Sequence, residues 1–501
     1  MNMLYRFSRW LAESRRNQFL AGGVALAVGG TLVAVGVVVA VSGGGDGEEQ
    51  VAARTASPSP SATEAPTRTP RRTATASPTS TPEPVETLAF IRNGDIWLIN
   101  ADGSGERRLT QFAGTPQTVV SAEWLNNGRE LVYRATYEGG AAATEVVGLV
   151  SLDGEVVWEM SARVQLASGI FWSPDGRLVA IFNPGEDPHA RIEDRDGQVW
   201  WTGMLAGLSQ LKAAPFDLRA TWSLDGSALA FIDGEEIVVV SGEPLSARRI
   251  DALSGHCVSS PPCPTVYGGL AFAPDHASLV VSVASATGGN ELFRVYRVEF
   301  APDAPAEPFA FPSSGEPLAY PSAPFEFGDL PRPGFAPDGS HVAFSTSHHL
   351  SACETFARLV ILPADGSAAR SVVPEEIAEP EAPFSPQGPD TLRGPAIYSH
   401  GFIWSPRGDA LVTAFQRVDC SFFDQPLSLA EGVYVVPADE TTEEKLADEF
   451  TSSVPVWSPS GDLIAWATGE PEASTIRLFH LTTRQVTDLT QGDQPAWQPQ
   501  P

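Results

Sequence analysis

One short pattern recurs along most of the chain and limits the folds open to it. An aromatic residue is followed by a small residue, by Pro-Asp-Gly or a related triplet, and then by an apolar, alternating segment. Seven full copies and a truncated eighth begin at Trp124, Trp172, Trp222, Phe272, Phe335, Trp404, Trp457 and Trp497, with spacings of 48, 50, 50, 63, 69, 53 and 40 residues. A repeat of this length indicates one supersecondary unit that packs against copies of itself.

The chemistry of each copy predicts short antiparallel strands. In Trp172-Ser-Pro-Asp-Gly176, proline sets φ, aspartate bonds to the backbone and glycine accepts a positive φ, so a tight turn follows. The apolar run Leu178-Val-Ala-Ile-Phe182 after this turn reads as a strand. Runs such as Ile237-Val-Val-Val240 and Ala247-Arg-Arg-Ile250 supply a third and a fourth strand. Four strands per repeat predict an all-β protein built as a β-propeller.

The two ends of the repeat region predict how the ring closes. The first unit starts at Leu88-Ala-Phe90 without a leading aromatic strand, and Trp497 supplies such a strand with nothing after it. Pairing the two would hide both strand edges. Seven full units and one split unit give eight blades of four antiparallel strands; seven blades is the alternative, if one of the longer spacings is irregular.

The repeat also resembles a known family. The strings W-S-P-D-G…L-A-F and D-I-W-L-I-N-A-D-G…R-R-L-T resemble the TolB-type propeller repeat, and a related version forms the propeller of prolyl-oligopeptidase and dipeptidyl-peptidase-type enzymes. The resemblance covers residues 88–501 and implies the fold. Those peptidases carry a second domain with a Gly-x-Ser-x-Gly nucleophile elbow, which this chain lacks. The resemblance therefore implies a propeller without that catalytic partner and does not specify a function.

The region before the repeats predicts a membrane anchor. Residues 19–41 form a run of 23 residues without a charge, which is long enough for a transmembrane helix. Four arginines precede it, so the positive-inside rule places residues 1–18 in the cytoplasm and the rest outside. A cleaved signal peptide ending near Ala40-Val41-Ser42 is the alternative, although the apolar region of such peptides usually spans about 7–15 residues.

Residues 42–86 separate this segment from the repeats. They are rich in Ser, Thr and Pro, so they have little to bury and predict a disordered linker. Residues 87–501 are then the propeller ectodomain. The expected location is the plasma membrane, with a single span, a cytoplasmic N-terminus and an extracellular or periplasmic C-terminal domain.

The charge distribution excludes one class of partner. The chain has a formal net charge of −29, and residues 87–501 hold 24 cationic residues against 54 carboxylates. A nucleic-acid binder needs a basic surface to neutralise phosphates. We therefore expect no nucleic acid as partner and expect the acidic ectodomain to favour cationic partners or bound cations.

Loop lengths predict which face of the propeller is functional. Turns between strands one and two and between strands three and four of each blade share one face, and here they are uniformly short. The other face receives every predicted expansion: 204–218, 251–268, 301–333, 346–356, 372–401 and 417–431. Elaboration on one face is typical of a binding surface.

All four cysteines fall on that expanded face. An oxidising location permits disulfides, and the spacing predicts Cys257–Cys263 within one blade connection and Cys353–Cys420 between equivalent loops of neighbouring blades. A metal site formed by His348, His349 and Cys353 fits no standard zinc spacing.

Two acidic segments have simple structural interpretations. The segment 193–197, Glu-Asp-Arg-Asp-Gly, lacks the ligand alternation of a calcium loop and predicts a plain turn. The run that contains Glu375, Glu376, Glu379 and Glu381 predicts a solvated loop. We expect no cofactor, no metal site and no identifiable catalytic residue.

These observations favour a non-enzymatic function. The expected protein is a membrane-anchored, TolB-like propeller that binds a protein, a peptide or an envelope polymer on its expanded face. The alternative is an exocytoplasmic hydrolase or lyase that uses carboxylates in the central funnel, although nothing in the sequence selects a carboxylate pair.

Overall fold

A computed structural model of this protein shows a regular structure of short antiparallel β-strands. It describes residues 85–137, 144–163, 169–183, 188–205, 220–233, 236–250, 265–287, 290–299, 307–308, 333–351, 354–365, 370–377, 396–419, 427–439, 442–469 and 473–500. The strands are β1 Thr87–Arg92, β2 Asp95–Asn100, β3 Arg107–Arg108, β4 Gln117–Trp124, β5 Glu130–Tyr137, β6 Thr144–Ser151, β7 Val156–Arg163, β8 Ile170–Trp172, β9 Leu178–Asn183, β10 His189–Asp194, β11 Val199–Met204, β12 Ala220–Trp222, β13 Ala228–Asp233, β14 Glu236–Ser241, β15 Ser246–Ile250, β16 Thr265–Phe272, β17 Ser278–Thr287, β18 Asn290–Glu299, β19 Glu307–Pro308, β20 Gly334–Phe335, β21 His341–Ser351, β22 Glu354–Pro363, β23 Arg370–Val372, β24 Ala396–Trp404, β25 Ala410–Asp419, β26 Leu427–Pro437, β27 Glu444–Ala447, β28 Val456–Trp457, β29 Leu463–Thr468, β30 Thr475–His480, β31 Gln485–Gln491 and β32 Asp493–Trp497.

These strands form eight blades of four antiparallel strands, as the repeat predicts. Blade 1 has the order β32-β1-β2-β3 from the centre outwards, and blades 2 to 8 take β4–β7, β8–β11, β12–β15, β16–β19, β20–β23, β24–β27 and β28–β31 in chain order. The prediction of an eight-bladed propeller is therefore confirmed, and the seven-bladed alternative is wrong.

Blade 1 closes the ring with strands from both ends of the repeat region. The last strand, β32, pairs antiparallel with the first, β1, so that Leu88 faces Trp497 and Ala89 faces Ala496 across the two strands. The backbone N–H of Gln498 extends the pairing by donating to the carbonyl of Thr87. The free edges of an open sheet are thereby satisfied by the chain itself.

Each sheet buries both of its faces. Eight apolar clusters lie between the eight pairs of neighbouring blades. Strand β13 shows how the alternation of side chains produces this arrangement: Leu229 and Phe231 pack towards blade 3, whereas Ala230 and Ile232 pack towards blade 5. The near-continuous apolar strands of the sequence are a consequence of this double burial.

The repeated tryptophans connect neighbouring blades by hydrogen bonds as well as by packing. The indole N–H of Trp222 donates to the carbonyl of Phe171, 3.1 Å away, which directly precedes the aromatic residue of the previous blade. The same bond, at 3.0 to 3.3 Å, joins the following donor and acceptor pairs: Trp124 and Ala496, Trp404 and Gly334, Trp497 and Val456. The indole N–H groups of Trp172 and Trp457 are buried without such an acceptor.

The turns that follow these aromatic residues are fixed by hydrogen bonds of their own. Ser173 Oγ donates to Asp175 at 2.6 Å and accepts from the backbone N–H of Leu178 at 3.0 Å, while Gly176 has a φ of 72°. In the next blade, burial alone would raise the pKa of Asp225, but hydrogen bonds from Ser223 and Ser227 more than offset it and lower the pKa to about 2. The turn aspartates therefore stay ionised and fix the turn geometry.

One copy of the turn departs from glycine. His276 takes the glycine position of blade 5 with a φ of 56°, and its N–H still closes the turn on the carbonyl of Ala273 at 2.9 Å. The left-handed conformation costs a non-glycine residue about 1 kcal/mol or more, so the fold imposes this turn even where its sequence is unfavourable.

The region before the propeller lies outside this description. The predicted transmembrane helix at 19–41 and nearly all of the linker at 42–86 fall among residues that the structure does not describe. Within the described part of the chain, no helix has the length and apolar character needed to cross a bilayer.

The tryptophan bonds predict a difference between two otherwise similar positions. Trp404 and Trp457 are 9% and 8% exposed, but only the Trp404 indole has an acceptor. Replacing either by Phe removes similar volume, whereas only Trp404→Phe leaves a carbonyl without its donor. We expect Trp404→Phe to lower the free energy of unfolding by about 1 kcal/mol more than Trp457→Phe, measured by urea denaturation of the full-length chain. Equal losses would show that the bond contributes nothing.

Candidate functional site

The two faces of the propeller differ in how tightly they are built. On one face the Pro-Asp-Gly-type turns of neighbouring blades touch: a Cβ placed on Gly226 would lie 2.9 Å from the carboxyl carbon of Asp175, and one on Gly408 would lie 2.7 Å from Asp338 Oδ1. We call this the turn face. Because each turn packs against the turn of the neighbouring blade, there is little room on this face for longer loops.

The opposite face is uneven because the blades differ in length there. The second and third strands of blades 1, 3, 4 and 8 have 6 residues each, whereas those of blades 5, 6 and 7 have 10 or 11. The second strands of blades 5 to 7 all begin at the turn face, so the additional residues extend the opposite face. We call the described residues of these extensions, 284–287, 290–293, 347–351, 354–357, 416–419 and 427–431, the wall. At about 3.3 Å per residue, four or five extra residues raise it by about 13–17 Å.

The wall is continuous between two of its blades. Strand β22 of blade 6 pairs in parallel with β24 of blade 7 through Phe356 and Ile397, which joins the two blades into one eight-stranded sheet. This junction lies at the level of the extra residues. Blades 6 and 7 therefore form a common structure above the propeller disc.

The wall corrects part of the loop prediction. The segments 346–356 and 417–431, expected to be expanded loops, are mostly the paired ends of β21, β22, β25 and β26, and 265–268 belongs to β16. The segment 301–333 is also interrupted, by β19 at Glu307–Pro308. The apolar alternation of these segments is weak, so they read as loops in the sequence, although pairing with an adjacent strand is enough to keep them extended. In blades 5, 6 and 7, the described parts of the expansions do enlarge the predicted face, as strands.

A polar network built on the buried Tyr434 supports the wall from the outer side of blade 7. The Tyr434 hydroxyl donates to Glu376 at 2.5 Å, and Lys445 contacts Glu376 at 3.0 Å and Asp448 at 2.5 Å. Burial raises the pKa of Tyr434, and hydrogen bonding to Glu376 raises it further. The tyrosine therefore remains a neutral donor and holds the connection between blades 6 and 7 against β26.

A glycine leaves the space that this network needs. A Cβ on Gly432 would lie 2.7 Å from both Lys445 Cε and the Tyr434 hydroxyl. A similar device occurs in blade 2, where the Tyr133 ring covers Gly148 and its hydroxyl reaches Glu159 at 2.7 Å. Both tyrosines thus pack against a glycine and donate to a carboxylate.

On the same face, but away from the wall, the most buried carboxylate holds the backbone in place. Asp95 is 1% exposed and accepts hydrogen bonds from Thr110 Oγ1 at 3.0 Å, from the N–H of Phe112 at 2.6 Å and from Arg108 at 2.5 Å. Its oxygens hold the connection from blade 1 to blade 2. These hydrogen bonds occupy the carboxylate oxygens of Asp95, so it does not have the free acceptor that a catalytic carboxylate needs.

The innermost strands decide what chemistry the central funnel can offer. Among their described residues, two carry carboxylates, Glu123 on β4 and Asp493 on β32. They occupy opposite ends of neighbouring strands, and Asp493 already accepts from Ser452 Oγ at 2.8 Å. Within the described part of the funnel, these two carboxylates are not brought together as an acid–base pair.

The residues that the sequence singled out have different outcomes. Cys257, Cys263, Cys353 and Cys420 lie outside the described residues, so both disulfides stay predictions. His348 and His349 lie on β21, paired with Phe356 and Thr355, and their side chains are not described. The described residues contain no group of three His, Cys, Asp or Glu side chains that could hold a metal.

The acidic segment 193–197 is the plain turn that the sequence predicts. Asp194 accepts from the N–H groups of Asp196 and Gln198 at 3.0 and 2.9 Å, and Arg195 forms a bidentate pair with Glu130. Glu375 and Glu376 lie in an exposed turn, as the prediction of a solvated loop has it. Glu376 is in addition the acceptor of the Tyr434 network. Its partners lie 58 residues or more along the chain, and no local pattern indicates them.

Both the sequence and the fold of this chain can be compared with those of known proteins. No protein-family model matches the sequence, and no curated protein matches it significantly. Similar solved structures include TolB from Acinetobacter baumannii (13% identity, 83% of this chain and 67% of that chain, TM-score 0.34) and Porphyromonas gingivalis dipeptidyl peptidase 4 (12% identity, 81% and 57%, TM-score 0.46). Another is an oligogalacturonate lyase in complex with manganese (14% identity, 73% and 86%, TM-score 0.39). At these identities the similarity concerns the fold alone. The observed fold is the TolB-like propeller that the repeat predicts.

The Tyr434 network predicts the effect of removing one hydroxyl group. Tyr434→Phe leaves Glu376 without its uncharged donor, and a hydrogen bond to a charged group contributes about 1.5–3 kcal/mol. We expect the free energy of unfolding to fall by about that amount in urea denaturation. Tyr137→Phe, at a tyrosine that is 41% exposed, serves as the control and should change it by less than about 0.5 kcal/mol. The same small change in both variants would contradict a supporting role for the network.

Proposed function

We propose that this chain is a membrane-anchored, exocytoplasmic β-propeller that binds a protein, a peptide or an envelope polymer on the face that carries the wall. The observation that carries the proposal is the length of the second and third strands in three consecutive blades, 5, 6 and 7: they have 10 or 11 residues, against 6 to 8 in the other blades, and the extra length lies on one face. Elaboration placed on one side of a rigid scaffold is how propellers and other closed folds present binding residues.

The shape of that face suits a macromolecular ligand. The wall rises beside a low floor formed by the 6-residue strands of blades 8, 1, 3 and 4, so the surface is a broad step. The described wall residues include an exposed apolar side chain, Leu429, which is 43% exposed. An apolar contact of this kind beside polar groups is typical of a protein-binding surface.

The anchor and the linker fit this function. An uncleaved span at residues 19–41 would hold the propeller at the membrane, and the linker at 42–86 would let it reach a partner at a distance. The acidic ectodomain would be repelled by anionic lipid. The binding face would thereby remain available to a partner in the exocytoplasmic space.

Site-specific photo-cross-linking tests the binding face directly. A photoreactive amino acid replaces Leu429 on the wall or, as a matched control, Leu224 on the turn face, which is 63% exposed. We expect a discrete cross-linked adduct in cells from position 429 and none from position 224. Adducts from position 224 alone would contradict the proposal.

The same protein also tests the enzymatic alternative. A panel of glycan and peptide substrates is incubated with the purified full-length chain, and we expect no turnover. Hydrolysis or elimination that is lost on substitution of Glu123 or Asp493 would overturn the binding-only function.

Membrane fractionation tests the anchor. The full-length chain should stay with membranes after alkaline carbonate extraction, because about 20 apolar residues suffice to span the bilayer. A chain without residues 19–41 should be released. A full-length product whose N-terminus begins shortly after Ala40 would instead identify a cleaved signal peptide and contradict the anchor.

A further inference from the structure

Arg417 on β25 is a half-buried cation for which the described residues supply no hydrogen-bond or ion-pair partner. Its Nε atom is buried and has no hydrogen-bond acceptor. Every other half-buried arginine of the described residues has a hydrogen bond or an ion pair, namely Arg92, Arg134, Arg191, Arg248, Arg297, Arg370 and Arg477. In a region with 54 carboxylates and 24 cations, a guanidinium that none of the described carboxylates neutralises is exceptional.

The position of Arg417 follows from the strand pairing. Side chains alternate along β25, and Leu411 and Phe415 lie in the core between blades 6 and 7, so Arg417 is directed to the same side. Its neighbours across the sheet are Ile397 on β24 and Ala430 on β26. Both belong to or pack against that same core. Arg417 therefore ends the apolar row of blade 7, at the base of the wall and on the side of blade 6.

Blade 6 contributes a second unpartnered polar group to this side. On β21, Ala343 lies in the core shared with blade 7, so Ser345, two residues further on, faces blade 7 as well. The Ser345 Oγ atom is buried and has no hydrogen-bond partner. Ser345 therefore faces the space between the two blades as Arg417 does, but it lies three residues nearer the turn face than His348, the β21 residue in the row of Arg417.

A described carboxylate of the same hairpin is engaged elsewhere. Glu431 lies directly across from Gln416, on the other side of the sheet from Arg417. It accepts hydrogen bonds from Gln416 Nε2 at 3.4 Å and from Ser428 Oγ at 2.8 Å. Glu431 is therefore held away from Arg417, and no described carboxylate neutralises the guanidinium.

A carboxylate is the group that fits this arrangement best. A buried donor without an acceptor is unfavourable, and an ion pair formed where water is excluded is stronger than one in solvent. A guanidinium binds a planar carboxylate through two parallel hydrogen bonds. A doubly charged phosphate would need more than one cation, and the strongly acidic ectodomain would repel it more.

We propose that Arg417 binds a carboxylate group of the ligand between blades 6 and 7 at the base of the wall. The inference deepens the proposed function, on which it rests, by assigning the ligand a carboxylate such as that of an acidic side chain, a chain terminus or an acidic sugar. It also explains how an acidic propeller accepts an anionic group at one place.

A small carboxylate tests this site without knowledge of the full ligand. Thermal unfolding of the purified full-length chain is followed in sodium propionate, in sodium chloride at equal concentration and in propionamide. We expect propionate alone to raise the Tm in a saturable manner, since binding to the folded state stabilises it. Arg417→Gln should lower the affinity for propionate about tenfold or more.

Two further variants separate binding from folding. Arg417→Lys keeps the charge but loses the planar fork, so it should retain only part of the response. Arg129→Gln removes an exposed arginine of the turn face and should respond as the wild type does. Arg417→Gln itself should fold normally, because it removes an unsatisfied donor. An equal propionate response in wild type and Arg417→Gln, or a wild-type response no larger than that to chloride, would overturn the site.

The outcome is separable from that of the proposed function. Cross-linking through position 429 together with an absent propionate response would leave the binding face in place and remove the carboxylate site. A propionate response that needs Arg417, without any adduct from position 429, would leave the anion site and contradict the binding face.

Discussion

Burial of both faces of every sheet is the constraint on which the rest of this structure depends. A sheet that is apolar on both sides needs two neighbours, and a row of such sheets has no end until it closes on itself. Eight clusters between eight pairs of blades satisfy this requirement. The pairing of β32 with β1 completes the circle. The indole donors add a directional bond to this packing, from one blade to the backbone of the previous one.

The same closure explains why variation is confined to one face. Neighbouring turns touch on the turn face, so an insertion there would separate the blades. On the other face, the hairpins of blades 5, 6 and 7 extend freely, and the β22–β24 pairing joins two of them. A rigid disc thus carries an asymmetric wall. Tyr434, whose hydroxyl supports the wall through Glu376, and Arg417, for which no described partner exists, both lie in blade 7.

The fold was predictable from the sequence to the level of the blade, because each turn and each strand depends on residues close together in the chain. Trp172-Ser-Pro-Asp-Gly176 defines its own turn, and the split unit indicates the closure. The wall was not predictable in detail, since its strands are extended through pairing across hairpins whose sequences read as loops. Glu376 and Arg417 show the same limit. Whether a charged side chain has a partner depends on residues brought together from distant repeats.

Hydrogen–deuterium exchange on the full-length chain, alone and with its bound partner, tests most directly the claim that the wall is the binding surface. The account predicts that binding protects the backbone amides at the ends of β17–β18, β21–β22 and β25–β26, while the turns at 173–177 and 223–227 exchange as before. Protection of those turns, with no change in the wall, would contradict it.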